Sequence, residues 1–169
     1  MNENVILVND SDQEIGVEEK IEAHRNGGKR HRAFSILIFN DKDELMLQQR
    51  AFSKYHCGGL WTNTCCSHPR PGEKTEDAAH RRLVEEMGFD VELMEKFSFN
   101  YIAPLDHDLT ENEHDHVFVG YYNLEPKINP DEVESWKWIS KADLNKDIES
   151  NPQNYTFWFK RIWSEFNKN

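Results

Sequence analysis

The stretch Thr75–Met87 carries the clearest helical pattern in the chain, and it constrains what can surround it. Ala79, Leu83 and Met87 recur at helical spacing and form one apolar stripe. Thr75 can cap the N-terminal end, Glu76 and Asp77 suit the positive end of the helix dipole, and Gly88 can close the C-terminal end. A helix with one apolar face must bury it against another layer. The neighbours supply one. Residues 5–8 read as a strand, and 34–39 with 45–49 read as a hairpin around Asn40-Asp41-Lys42-Asp43. Trp61–Cys66 is a further short strand, and more follow near 97–102 and 116–124. Val17, Ile21 and His24 suggest a short helix over 17–25, broken by Asn26-Gly27-Gly28. Residues 51–60 read as loop, and 155–166 as an aromatic-rich helix with Phe159, Ile162, Trp163 and Phe166 on one face. Short strands interrupted by a few helices predict a mixed α/β (α+β) sandwich.

No repeat or low-complexity linker divides the 169 residues, so the chain reads as one domain, 1–169. The formal net charge of −11 repels nucleic acid and anionic lipid, and argues against both as partners. It also repels a phosphorylated substrate, so any site for one must hold metal or clustered Lys and Arg. The apolar run Val5-Ile6-Leu7-Val8 has a strand's length, far short of a membrane span, and Glu3 precedes it. The expectation is a soluble, cytoplasmic protein, a monomer or weak homodimer. Its three cysteines, Cys57, Cys65 and Cys66, are odd in number with two adjacent, which makes no disulfide framework and leaves a reactive thiol possible.

Around the strong helix, Glu73, Arg81, Leu83, Glu85, Glu86 and Gly88 fall at the spacing of a Nudix box. In that motif helix carboxylates hold a divalent metal on a diphosphate, as hard oxygen donors suit Mg²⁺ or Mn²⁺. A bare Glu-Glu pair is more often a solvated acidic face, and the full spacing is what raises this one above it. The box departs from the motif twice. Ser67 stands where it begins with Gly, and Arg82 stands where it has a metal-binding Glu. An Arg cannot ligate metal but can fork onto phosphate, which argues for binding a diphosphate without cleaving it.

Glu111 and Glu113 are two apart, so an extended strand points them to the same side. With His24, His31 and His68 they would make a mixed N/O metal site. His114 and His116 are rivals beside the same motif, while His56, His80 and His107 have no constellation around them.

Trp61-Thr62-Asn63-Thr64-Cys65-Cys66-Ser67-His68-Pro69 closely resembles the cysteine motif of type I isopentenyl-diphosphate isomerases. Glu111-Asn112-Glu113 resembles their glutamate motif, and Arg50-Ala51-Phe52-Ser53-Lys54 their phosphate-binding segment. Glu18-Glu19-Lys20 with His24, and His31–Ser35, resemble their N-terminal metal-binding stretch. The likeness runs from about Val5 to the last helix. One departure is Tyr55-His56-Cys57-Gly58-Gly59, which replaces a more usual aromatic-Pro-Gly approach to the cysteine motif.

The resemblance implies a Nudix-like α/β/α sandwich with a mixed sheet, and isomerisation of isopentenyl to dimethylallyl diphosphate in isoprenoid biosynthesis. It implies Cys66 as catalytic thiol with Cys65 a bystander, and Glu113 as opposing acid/base and metal ligand. His24, His31, His68 and Glu111 would complete a Mn²⁺, Mg²⁺ or Zn²⁺ site, with Glu86 on a second Mg²⁺ that arrives with substrate. It further implies Tyr101 as an active-site tyrosine, Lys20, Arg50, Lys54 and Arg82 as diphosphate contacts, and Trp158 as the aromatic facing the isoprenoid carbons. The rival readings are a Nudix hydrolase of a diphosphate substrate, against which Arg82 and the cysteine motif count, and a diphosphate-binding scaffold.

Overall fold

A hairpin whose two strands part company organises the molecule. In the computed structural model, which describes residues 3–168, β3 (His31–Phe39) and β4 (Glu44–Arg50) meet at Phe39–Leu45 and then diverge. β3 runs parallel to β8 (Thr110–Tyr121) from His31–Glu113 to Phe39–Tyr121, and β8 pairs antiparallel with β7 (Met94–Pro104). The other edge of β3 takes the short β6 (Cys65–Ser67). β4 pairs instead with β9 (Val133–Ser140) and β5 (Trp61–Thr62). β1 (Asn4–Val8) and β2 (Glu14–Glu19) form an outer hairpin joined to β3.

Alternation along β3 and β4 divides the core in two. Phe34, Ile36, Ile38 and Met46 pack on Ala79, Leu83 and Met87 of α2 (Thr75–Met87). Leu37, Phe39, Leu45 and Leu47 face the other way, onto Phe159, Ile162 and Trp163 of α4 (Phe157–Lys168). The strands between two helices make the α/β/α sandwich expected from the sequence. Leu83 is fully buried, so Leu83→Ala is expected to lower unfolding stability by about 2–5 kcal/mol in a urea titration. A loss below about 0.5 kcal/mol would place α2 outside the core.

Local differences from the sequence reading have local causes. Thr75 is the first helical residue, and extended Lys74 sits at the cap without a side-chain hydrogen bond. Gly88 ends α2 at φ 74°, and a Cβ there would lie 2.4 Å from the Lys127 carbonyl oxygen. The helix expected over 17–25 is strand β2 followed by one helical turn, α1 (Lys20–Ala23), with His24 just after it. Trp61–Cys66 is interrupted at Asn63 and Thr64. Strand β9 and helix α3 (Lys141–Ser150) were not expected. Among the described residues no helix is long and apolar enough to cross a membrane. Met1, Asn2 and Asn169 of the one-domain reading lie outside the described residues.

Candidate active site

Strand parity sorts the chemistry. On β8, Glu111, Glu113 and Asp115 point inward, whereas Asn112, His114 and His116 point to the outer face, so His114 and His116 are not rivals for the inner site. On β6, Cys66 lines a cleft while Cys65 is turned toward α2, where its Sγ donates to Glu86 Oε2 at 2.6 Å.

Glu113 is the hub of the inner cluster. The β3–β8 register sets His31 beside it, and His68, just after β6, meets Glu113 Oε1 through Nε2 at 3.0 Å. Ring centroids of His24 and His31 are 4.7 Å apart, and those of His31 and His68 4.9 Å. His24 Nδ1 contacts the Lys20 carbonyl at 2.6 Å and His31 Nδ1 the Lys29 carbonyl at 2.9 Å. A carbonyl only accepts, so each Nδ1 carries the proton and each neutral ring turns a bare Nε2 inward. Burial holds His24 below the ordinary imidazole range and brings His68 down to about 3, which keeps both rings neutral, the ligand form.

Ligand atoms of His24, His31, His68 and Glu113 all lie within 4.8 Å of one another. Glu111 stands outside this tight group but lines the same cleft. Buried His31 Nε2 and Glu111 Oε2 have no hydrogen-bond partner. Unpaired lone pairs on a buried imidazole and carboxylate fit a divalent cation. Burial raises both glutamates, but the neighbouring His31 and His68 pull Glu113 well below the usual carboxylate range, and its charge then pushes Glu111 further up. The Tyr101 hydroxyl lies between them, 2.7 Å from Glu111 Oε1 and 2.9 Å from Glu113 Oε2.

Lys20, Arg50, Lys54 and Arg82 line the cleft along with Glu86, Cys66 and Trp158. Arg50 and Arg82 each have a buried Nε without a partner. Arg82 is held by Glu85 at 2.6 Å, Glu86 at 3.3 Å and Glu132 at 3.4 Å. The Arg50 guanidinium sits 5.1 Å from the centre of the Trp158 ring. Burial pushes the Cys66 thiol up, partly offset by the Arg50 charge. Tyr101 and His31 lie behind the lining rather than in it.

Three residues escaped the sequence reading. His56 is buried in the cleft, edge-on to Trp158 at 5.8 Å, and burial beside the Arg50 charge lowers it to about 2. Tyr55 lines the cleft beside it, and Glu132 pairs with both Lys54 and Arg82. Neither histidine nor glutamate sits in a motif, so no sequence signal marks them. The remaining box residues are structural: Arg81 forks onto Glu73 at 2.7 and 2.9 Å and ties the loop to α2.

Residues 29–159 match the NUDIX domain. The chain is 55% identical to isopentenyl-diphosphate Delta-isomerase 1 of Aromatoleum aromaticum, over 95% of this chain and 90% of that protein. It belongs to the isopentenyl-diphosphate Delta-isomerase family. The isopentenyl-diphosphate Delta-isomerase of Serratia proteamaculans is 48% identical across 100% of this chain and 94% of its own length. In fold, DR0079 of Deinococcus radiodurans superposes with a TM-score of 0.74 at 21% identity, covering 88% of this chain and 90% of that one. The MutT protein of Methanosarcina mazei Go1 gives 0.67 at 20% identity, over 82% and 94%. Among these matches, the isomerase relatives share the near-full-length sequence likeness, while the latter two share the fold.

Proposed function

We propose that this chain interconverts isopentenyl and dimethylallyl diphosphate with Cys66 and Glu113 as the two proton-transfer groups. The observation that supports it best is that one cleft is lined by that thiol, that carboxylate, an aromatic wall and four cationic side chains. One group delivers a proton to the terminal alkene carbon, whose π pair forms the new C–H bond and leaves a tertiary cation-like centre. The other removes a proton from the carbon nearer the diphosphate, and that C–H pair becomes the new double bond. Trp158 and the buried side chains around it keep water from the cation. Tyr101 touches both glutamates and acts as a positioning residue.

His24, His31, His68, Glu113 and the adjacent Glu111 would hold a divalent ion, with Mn²⁺, Mg²⁺ and Zn²⁺ as the candidates. When bound, such an ion orients Glu113 and tunes its acidity. Glu86 is the proposed ligand of a Mg²⁺ that enters with the diphosphate. The proposed state is a monomer or weak homodimer, and the proposed location is the cytoplasm.

Incubation with isopentenyl diphosphate and Mg²⁺ should yield dimethylallyl diphosphate and no free phosphate. Phosphate release in place of isomer would favour the hydrolase reading. His68→Ala is expected to lower the metal content of the purified protein by one ion per chain, measured by elemental analysis. Unchanged content would count against the ligand set. Arg82→Ala is expected to raise KM by roughly 10- to 150-fold, the equivalent of one charge-assisted hydrogen bond of about 1.5–3 kcal/mol. If KM and kcat/KM stay near wild type, Arg82 serves only its three carboxylates.

A further inference from the structure

The outer face of β8 carries a second cluster that the isomerase chemistry does not use. His114 and His116 project side by side with ring centroids 5.0 Å apart. Asp12, from the turn between β1 and β2, sets Oδ2 2.9 Å from His116 Nε2 and 3.9 Å from His114 Nε2. The ligand atoms of all three residues lie within 4.8 Å of one another.

Each group is aimed by a partner behind it. His114 Nδ1 lies 2.6 Å from Asn100 Oδ1, and His116 Nδ1 lies 2.5 Å from Glu95 Oε1. Asn100 Nδ2 donates to the Asp10 carbonyl at 3.2 Å, which fixes its oxygen toward His114. Both acceptors stand on β7, so both rings keep their proton on Nδ1 and turn Nε2 toward Asp12. Arg32 locks the aspartate, donating to Oδ1 through Nε at 2.8 Å and to the Asp12 backbone carbonyl at 2.7 Å. That leaves Oδ2 for the imidazoles. Imidazoles backed by carboxylate or amide oxygens and converging on one carboxylate oxygen are the arrangement of zinc sites.

An ion pair alone accounts for less of this geometry. His116 with Asp12 would satisfy it, whereas His114 Nε2 at 3.9 Å is too far to hydrogen-bond. A cation between the three atoms uses all of them. We propose that Asp12, His114 and His116 form a site for Zn²⁺ on the outer face of β8, with solvent able to supply the fourth ligand. The side chains are 23%, 11% and 14% exposed, enough for an ion to enter. Loading would fasten the β1–β2 turn to β8, on the opposite side of that strand from Glu113.

The two sites are separated by counting ions. Zn²⁺ titrated calorimetrically into chelator-stripped protein should bind with two ions per chain. Asp12→Asn and His116→Asn should each bind one, and His68→Ala should also bind one by losing the inner site instead. Glu95→Gln should weaken only the outer ion, by roughly 10- to 100-fold. A wild-type protein and a His116→Asn variant with equal Zn²⁺ stoichiometry would overturn the proposal. Ring ¹⁵N spectra of the wild type avoid any folding defect in a variant. Zn²⁺ should shift Nε2 of both His114 and His116, and unmoved resonances after a second equivalent would equally rule the site out.

Discussion

Cys66→Ala is expected to lower kcat by roughly 10²–10⁴-fold or more, the loss of a positioned acid/base for which no neighbour substitutes. Cys65→Ala should retain most activity. The two thiols are adjacent in sequence, but β6 turns them to opposite faces. Cys66 lines the cleft, and Cys65 donates to Glu86 from the α2 side. The Cys65 change therefore acts through Glu86 and should appear mainly in the Mg²⁺ concentration needed for half-maximal rate. Steady-state kinetics on both variants decides the assignment. Equal losses at the two cysteines, or a loss at Cys65 alone, would mean that the reacting thiol has been misplaced.

Glu113→Gln is expected to be at least as damaging, because one change removes two functions. The carboxylate is the proposed partner of Cys66, and its Oε1 is also the oxygen that His31 and His68 share. Gln keeps the size and removes the charge. The rate should fall by roughly 10²–10⁴-fold from the lost proton transfer alone, and the inner metal should be lost or much weakened. Glu111→Gln should be milder in rate, since Glu111 stands outside the tight group of His24, His31, His68 and Glu113. Kinetics and elemental analysis on the pair test this, and a Glu113→Gln enzyme with full metal and near-normal kcat would remove Glu113 from both roles.

Much of the sandwich was legible because its signals are local. Helix α2 announces itself through Ala79, Leu83, Met87 and Gly88, and α4 through Phe159, Ile162 and Trp163. Strand β2 was misread because Val17 is exposed there and Ile21 belongs to the turn after it, so their spacing mimicked a helix that the β1 ladder overrides. Helix α3 sets only Leu144 and Ile148 against the core, a stripe of two residues that is too short to stand out. Strand β9 carries a period-2 signal in Trp136 and Trp138, which pack on one core, but its pairing with β4, which leaves β3, is a fact of topology that residues 133–140 do not show.

The site divides the same way. Residue types and motif order pointed to Cys66, His68, Glu111 and Glu113, but their convergence depends on the β3–β8 and β3–β6 registers. His114 and His116 could not be excluded from the inner site until β8 was seen to alternate. His56 was passed over as a lone histidine, and only the loop before β5 brings it against Trp158.

Because Lys20 and His24 come from one end of the cleft's chain order and Trp158 from the other, the cleft draws on nearly the whole polypeptide. A chain emerging from the ribosome at about 5–20 residues per second presents its thiol and histidines well before α4 exists to wall them in. Contacts of such sequence separation also form late in folding, after their loop-closure entropy has been met. The cleft is therefore walled only when the last helix docks, which ties the closure of the site to completion of the fold.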